Sequence, residues 1–187
     1  IMEKVRLGII GVGNMGTGHL SNIEMHKRCP EITVTAVADI KPERLQWVKD
    51  NIETPIVLFD DAEKMMDSGL IDAVLIAVPH YYHPVYAIKA FERGLHVMCE
   101  KPVTMDSAEL EQVIAAAEKA NRIFTVHQNR RWDEDYLMAC QAVQSGEIGN
   151  ITTIQSRVYG QRGVCFGWRA DPVAGGGMLY DWGIHLI

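Results

Sequence analysis

The chain has 187 residues, of which 48% are hydrophobic, and a formal net charge of −6. A chain of this size can bury enough surface for one domain, or one domain and part of another, without disulfide or metal support. The acidic balance argues against a nucleic-acid partner, which needs a basic face. No apolar run is long enough to span a bilayer, and no signal-like segment opens the chain, so we expect a cytoplasmic protein with no membrane partner.

Cysteine and histidine spacing gives no sign of a metal site. The cysteines are widely spaced and form no C-x-x-C pair; they are Cys29, Cys99, Cys140 and Cys165. This usage is typical of isolated thiols in a reducing compartment. His80 and His83 provide too few ligands for zinc, and His19 is interpreted as structural. We therefore expect no metal.

Residues 1–128 alternate strand patterns with helix patterns. Short apolar runs rich in Val and Ile predict strands that are buried on both faces. The predicted strands span residues 5–11, 32–39, 56–59, 73–79, 96–99 and 123–127. Helical segments separate them, with a strong helix at 108–120. Alternating βαβ units predict an α/β fold with a doubly wound parallel sheet, the Rossmann arrangement.

The pattern changes from residue 129 onward. A helix is predicted at 133–145, ended by Gly146, and a longer strand at 151–159 with one exposed face. A glycine-rich loop follows at 160–177, and the last ten residues have a helical pattern. Because a lone strand cannot make a sheet, residues 129–187 are interpreted as the beginning of a second, incomplete domain.

A glycine loop follows the first predicted strand. Gly11-Val12-Gly13-Asn14-Met15-Gly16 fits the pattern G-x-G-x-x-G and opens a helix. Gly11 allows the tight turn, Gly13 lets the backbone approach a pyrophosphate, and Gly16 lets the helix pack close to the strand. The free N–H groups at the helix start then favour an anion. The loop therefore predicts a dinucleotide site.

The residue that ends the second strand indicates which dinucleotide binds. Asp39 stands roughly 20 residues past the glycine loop, where a carboxylate accepts hydrogen bonds from ribose hydroxyls and repels a 2′-phosphate. This position favours NAD. Lys41 and Arg44 leave NADP open, because basic residues could meet a 2′-phosphate. The alternative is that Asp39 only caps the turn into the helix at Pro42.

Two further segments could carry the chemistry of a dehydrogenase. The Tyr and Lys spacing of short-chain dehydrogenases is absent, as is the Cys and His cluster of zinc-dependent ones. Lys101 directly follows a strand, and strand ends of a parallel sheet face the cofactor crevice. Asp181 and His185 are i and i+4, so one helix would present both on one face. The Lys101–Pro102 bond is a candidate cis peptide, since such bonds occur at tight turns.

Taken in chain order, these motifs resemble the Gfo/Idh/MocA oxidoreductases, the family of glucose–fructose oxidoreductase and inositol dehydrogenase. The resemblance covers essentially the whole chain. It rests on the glycine loop, Ala77-Val78-Pro79 with His83, Glu100-Lys101-Pro102, Asn129-Arg130-Arg131-Trp132, Gly167-Trp168-Arg169, and Gly175-Gly176-Gly177 with Asp181 and His185. It implies a Rossmann domain followed by an α/β domain with a large open sheet, of which only the opening elements are present here.

The resemblance also implies site residues. Lys101, Asp181 and His185 correspond to the family's catalytic set. The glycine loop and the family motifs together give the expected cofactor-binding residues: Gly11, Gly13, Asn14, Met15, Asp39, Ile40, Arg44, Val78, Pro79, His80, His83, Glu100, Lys101, His127, Asn129, Trp168 and Arg169.

The implied function is an NAD(P)-dependent dehydrogenase acting on a sugar or a cyclic polyol. His185 would take the hydroxyl proton, and Lys101 would stabilise the resulting negative charge. Asp181 would orient the substrate or tune the two bases. Two alternatives stay open: a non-catalytic dinucleotide-binding regulator, and a glycosidase that uses NAD transiently. The full-length protein is expected to be a homo-oligomer, because the family usually pairs through the second domain.

Overall fold

The computed structural model of the chain describes residues 3–159 and 167–186. Its centre is a sheet of six parallel strands in the order β3-β2-β1-β4-β5-β6. The strands are β1 (Val5–Ile10), β2 (Ile32–Ala38), β3 (Val57–Phe59), β4 (Ala73–Ile76), β5 (His96–Glu100) and β6 (Phe124–His127). This strand order belongs to the doubly wound dinucleotide fold, so the predicted fold class is confirmed.

Within the described residues, five helices connect successive strands and two more follow the last strand. They are α1 (Asn14–Leu20), α2 (Pro42–Asn51), α3 (Ala62–Met66), α4 (His83–Glu92), α5 (Ser107–Ala120), α6 (Glu134–Ser145) and α7 (Met178–Asp181). A π-helical turn, Ser21–Met25, continues α1, and short 3₁₀ turns include His80–Tyr82, Asn129–Trp132 and Gly183–His185. Among the described residues, no helix combines the length and apolar content needed to cross a membrane.

The core has two layers, one on each face of the sheet. β1 lies between β2 and β4, and its Ile9 pairs with Val37 on one side and Leu75 on the other. On one face α1 and α2 contribute Leu20 and Val48, and on the other α3, α4 and α5 contribute side chains such as Met65, Phe91 and Val113. Burial on both faces explains why the strand sequences are continuously apolar.

The described cysteines fit the sequence interpretation. Cys29, Cys99 and Cys140 are free thiols, and Cys99 is buried on β5. Burial raises the pKa of the Cys99 thiol, which keeps it protonated and unreactive. Cys165 lies outside the described residues.

Two expectations for the second part of the chain were wrong. Residues 151–159 form no strand, because within the described ranges no neighbouring strand pairs with them. The last residues form no continuous α-helix: α7 stops at Asp181, and a 3₁₀ turn runs over Gly183–His185. Glycine is a poor helix former, which favours a break at Gly183. Of the glycine-rich loop, residues 160–166 lie outside the described part.

Candidate functional site

The glycine loop joins β1 to α1 at the point where the strand order reverses, between β1 and β4. Gly11 has φ +88°, and a side chain there would meet the carbonyl oxygen of Ala77 at 2.7 Å. A side chain at Gly16 would overlap the carbonyl oxygen of Gly11. A Cβ atom added at Gly13 would have no other atom within 4 Å. Gly11 and Gly16 thus meet packing constraints, while Gly13 faces open space of the kind that a pyrophosphate requires.

Asp39 follows β2 and closes the loop on its other side. Its Oδ2 accepts the backbone N–H of Val12 at 2.8 Å, and its Oδ1 accepts that of Lys41 at 2.9 Å. The first bond places the carboxylate at the mouth of the glycine loop. The second bond is the turn-capping role considered above, while a contact with a cofactor ribose stays a prediction. Ile40, next to it, is 83% exposed.

The loop after β4 carries Val78, Pro79, His80 and His83. His80 Nδ1 lies 2.7 Å from the carbonyl oxygen of Gly175, and burial lowers the pKa of His80 to about 4. His83 is fully buried and contacts the carbonyl oxygens of Val78 and Pro102 at 2.9 and 2.7 Å. His83 thus ties the β4 loop to the segment after β5, and its place beside the cofactor stays a prediction.

Glu100, the last residue of β5, is buried among histidines. Its Oε1 lies 2.7 Å from Nε2 of His19 and 3.1 Å from Nδ1 of His127, while its Oε2 accepts the N–H of Lys101 at 3.3 Å. Burial acts to raise the pKa of Glu100, but the contacts with His127 and His19 outweigh it and hold that pKa well below its usual range. The carboxylate is thus kept ionised.

The three side chains of this cluster are the types that bind transition metals, and their ligand atoms lie within 4.8 Å of one another. Oε1 of Glu100 nonetheless lies in direct contact with a nitrogen atom of each histidine ring. The His127 contact has poor hydrogen-bond geometry, and its buried Nδ1 lacks a well-aligned partner. Sequence reasoning interprets His19 as structural but does not predict its contact with Glu100, because 81 residues separate the two.

Lys101 and Asp181 meet across the crevice. Lys101 follows β5, and its Nζ donates to the backbone oxygen of Asp181 at 2.6 Å and to Oδ1 at 3.2 Å. The bond from Lys101 to Pro102 is cis, as predicted. Asp181 is buried, and Arg169 Nε also lies 3.3 Å from its Oδ1. Two of the three expected catalytic residues are therefore in direct contact.

His185 lies beside these residues on the 3₁₀ turn. Its Nδ1 is 2.9 Å from Oε1 of Gln128, whose Nε2 donates to the backbone oxygen of Ile184 at 2.6 Å. Burial lowers the pKa of His185, and the positive charges of Lys101 and Arg130 lower it further. Both effects favour the neutral form of the ring. Gln128 was missed by sequence reasoning, although both of its neighbours, His127 and Asn129, were selected.

Trp168 and Arg169 border the same region. The Trp168 ring packs edge-on against His80 with centroids 4.9 Å apart, and the Arg169 guanidinium lies 4.5 Å from the Trp168 ring centre. Asn129 is exposed at the start of the 3₁₀ turn after β6. The expected cofactor residues of the β4, β5 and β6 ends thus lie on one edge of the sheet, the edge where nucleotides bind in open α/β folds.

Known proteins with similar sequences include dehydrogenases of cyclic polyols. An inositol 2-dehydrogenase from Arthrobacter sp. (strain FB24) is 32% identical over 150 residues, which cover 80% of this chain and 44% of that protein. The scyllo-inositol 2-dehydrogenase (NADP(+)) IolW of Bacillus subtilis (strain 168) is 26% identical over 190 residues, 100% of this chain and 51% of that protein. The chain spans about half the length of such curated relatives.

Solved structures and family models also match NAD-binding oxidoreductases. A crystal structure of an NAD-binding protein from Listeria innocua matches with a TM-score of 0.90 and 38% identity, over 98% of this chain and 53% of that one. The scyllo-inositol dehydrogenase of Lactobacillus casei with bound NAD(H) and scyllo-inositol matches at TM-score 0.73 and 30% identity, over 80% and 44%. Residues 136–187 match the GFO/IDH/MocA C-terminal domain. Residues 5–128 match the oxidoreductase family with the NAD-binding Rossmann fold, and the chain belongs to this Gfo/Idh/MocA family.

Proposed function

We propose that this chain carries the NAD-binding and catalytic residues of a dehydrogenase that oxidises a CH–OH group of a cyclic polyol or sugar. The contact between Lys101 and Asp181 carries the proposal: it joins the end of β5 to the segment of the second domain that holds His185. The relatives that act on inositols support a cyclic polyol as substrate class.

The residues present fit a nicotinamide dinucleotide. Gly13 leaves open space above the start of α1, and Asp39 is held at the loop mouth by the Val12 N–H. We assign the pyrophosphate to the glycine loop and the ribose hydroxyls to Asp39. When bound, NAD supplies the acceptor for the hydride.

The protein's own part in the reaction is proton transfer and charge stabilisation. Neutral His185 would take the hydroxyl proton as general base, because burial and nearby cations keep it unprotonated. The Lys101 ammonium would donate a hydrogen bond to the same substrate oxygen and stabilise its developing negative charge. Asp181, in contact with Lys101 and Arg169, would hold the ammonium in position.

The first prediction tests this division of labour in the full-length enzyme. His185→Ala should lower kcat by about 10²–10⁴, the usual contribution of a positioned acid–base group, with little change in NAD affinity. Lys101→Ala should also lose turnover. NADH formation with a panel of inositols and hexoses measures kcat, and calorimetry measures NAD affinity. His26→Ala, a substitution of an exposed histidine, is the matched control.

The same assays separate the alternatives. A regulator would bind NAD yet convert none of the substrates, and His185→Ala would then change nothing. A glycosidase that uses NAD transiently would cleave glycosides without net NADH. Wild-type turnover in His185→Ala would contradict the assignment of the base.

A further inference from the structure

We propose that Gln128 is a positioning residue that fixes the tautomer of His185, so that the ring presents an unprotonated Nε2 to the substrate. The inference rests on the proposed function of His185 as general base. It starts from the bridge that Gln128 makes between the backbone of Ile184 and the ring of His185.

The bridge fixes the orientation of the Gln128 amide. A side-chain amide has one end that donates and one that accepts, and a backbone carbonyl oxygen can only accept. The short contact of 2.6 Å with the Ile184 oxygen therefore requires the amide nitrogen at that end. The opposite orientation would place two acceptor oxygens against each other. The oxygen Oε1 must consequently face His185.

The amide orientation in turn fixes the ring. Oε1 of Gln128 can only accept, and it lies 2.9 Å from Nδ1 of His185, so Nδ1 must carry the proton. In a neutral imidazole the other nitrogen then has a free lone pair. A neutral imidazole in water prefers the opposite tautomer, with its proton on Nε2. Gln128 therefore selects the form that can act as a base through Nε2.

Gln128 also has a structural effect, which the experiment must separate from tautomer control. Its bridge links the end of β6 to the turn at Gly183–His185, 56 residues further along the chain. Two substitutions divide the functions. Gln128→Met keeps a similar volume and loses both hydrogen bonds. Gln128→Glu keeps an acceptor for Nδ1 but replaces the donor to the Ile184 carbonyl with a second acceptor oxygen.

The tautomer can be measured directly by ¹⁵N NMR of the histidine rings in the protein without NAD, with His185→Ala to assign the signal. We expect a protonated Nδ1 and an unprotonated Nε2 in the wild type and in Gln128→Glu. In Gln128→Met the proton should shift toward Nε2. An Nε2-protonated ring in the wild type would overturn the proposal, and so would an unchanged tautomer in Gln128→Met.

Kinetics of the full-length enzyme test the consequence. Gln128→Met should lower kcat at least about 10-fold, a fraction of the 10²–10⁴ that a positioned base contributes, with KM for NAD unchanged. Gln128→Glu should retain clearly more of kcat than Gln128→Met and move the acid limb of the kcat–pH profile to higher pH, because a carboxylate stabilises imidazolium. Gln112→Met, which replaces an exposed glutamine on α5, is the matched control and should behave as wild type.

The outcomes distinguish this inference from the proposed function. If kcat falls equally in Gln128→Met and Gln128→Glu and the pH profile does not move, Gln128 only holds the turn in place and the inference is wrong. If His185→Ala retains turnover, the proposed base is wrong, whereas the NMR measurement still decides whether Gln128 sets the tautomer.

Discussion

The carboxylate of Asp39 accepts two backbone N–H groups, from Val12 and from Lys41. Each carboxylate oxygen has a second lone-pair site, so both can still accept a hydrogen bond from a ribose hydroxyl. Because the two backbone bonds fix the direction of the side chain, its negative charge stays at the end of β2, where we expect the adenosine ribose of the cofactor. The geometry therefore gives a physical basis for a preference for NAD.

The second prediction is that the wild type binds NAD more tightly than NADP. Asp39→Ser should reduce this difference in affinity. Two like charges about 4 Å apart repel by about 1 kcal/mol even in bulk water, and by more near a protein surface. We expect the ratio of the two dissociation constants to shift by roughly 5- to 10-fold. Calorimetric titration with both cofactors measures it. Asp50→Ser, at an exposed position on α2, is the control.

Tighter binding of NADP by the wild type would contradict this prediction. It would point instead to Lys41 and Arg44 as partners of a 2′-phosphate. The NADP-dependent relative from Bacillus subtilis shows that this cofactor occurs among similar chains.

Single residues differ in how far their sequence context reveals their environment. The glycine loop and Lys101 are recognisable because local spacing and position after a strand determine what they can do. Gln128 is not, since its partners Ile184 and His185 are 56 and 57 residues away in sequence. The full burial of His83 is likewise a product of tertiary packing that a motif cannot report.

Helix α1 shows how one element can meet several demands. Gly13, Gly16 and Gly18 lie at its start and within it, yet their surroundings differ. Gly16 lies against the Gly11 carbonyl, whereas Gly13 and Gly18 have no atom within 4 Å of a built Cβ. Of these three glycines, only Gly16 is required by close packing within the fold.

The third prediction uses these three glycines as a matched set. Gly16→Ala should lower the thermal midpoint strongly, since the backbone of the Gly11 turn must move. Gly13→Ala should fold normally and lose NAD affinity, because the added methyl occupies the space assigned to the pyrophosphate. Gly18→Ala should leave binding unchanged and add up to about 0.5–1 kcal/mol of stability from helix propensity. Calorimetry and thermal unfolding measure both quantities.

Equal NAD affinity in Gly13→Ala and wild type would place the pyrophosphate elsewhere. A folded, fully stable Gly16→Ala would show that α1 can move away from the loop without cost.

The parallel strands were predictable as elements because burial on both faces leaves a continuous apolar run in the sequence. Two elements of the second domain were not. Alternation at 151–159 satisfies the strand pattern, but a strand needs a neighbour, which the described residues do not provide. The i, i+4 spacing of Asp181 and His185 fits a helix, yet α7 ends at Asp181 and His185 lies on a 3₁₀ turn. Asp181 nevertheless contacts Lys101, and the charge of Lys101 still lowers the pKa of His185.

At the scale of the whole molecule, two parts of the second domain differ in how they contact the Rossmann sheet. The segment 167–186 is tied to it by Lys101, by Gln128, and by the Tyr180 hydroxyl, which donates to the Met105 carbonyl at 3.0 Å. Helix α6, in contrast, has no buried residue. Local stability follows buried apolar contact, so the two parts should open at different free energies.

The fourth prediction is that limited digestion of the 187-residue chain by chymotrypsin cleaves first within 134–159. Tyr136, Leu137 and Met138 on α6 are 46%, 45% and 69% exposed, and α6 contains no buried residue that would oppose local unfolding. Residues 5–128 should survive as a stable fragment, because their strands and helices share the two-layer core. Mass spectrometry of the early products identifies the cuts.

Helix α5 is the internal control: it has Asp106 as N-cap and buries Val113 and Ala117, so its leucine Leu110 should be cut late. First cuts within α5 or between β4 and β5 would show that the Rossmann layers open more easily than α6, and the division of the molecule into a stable sheet and a weakly attached helix would then be wrong.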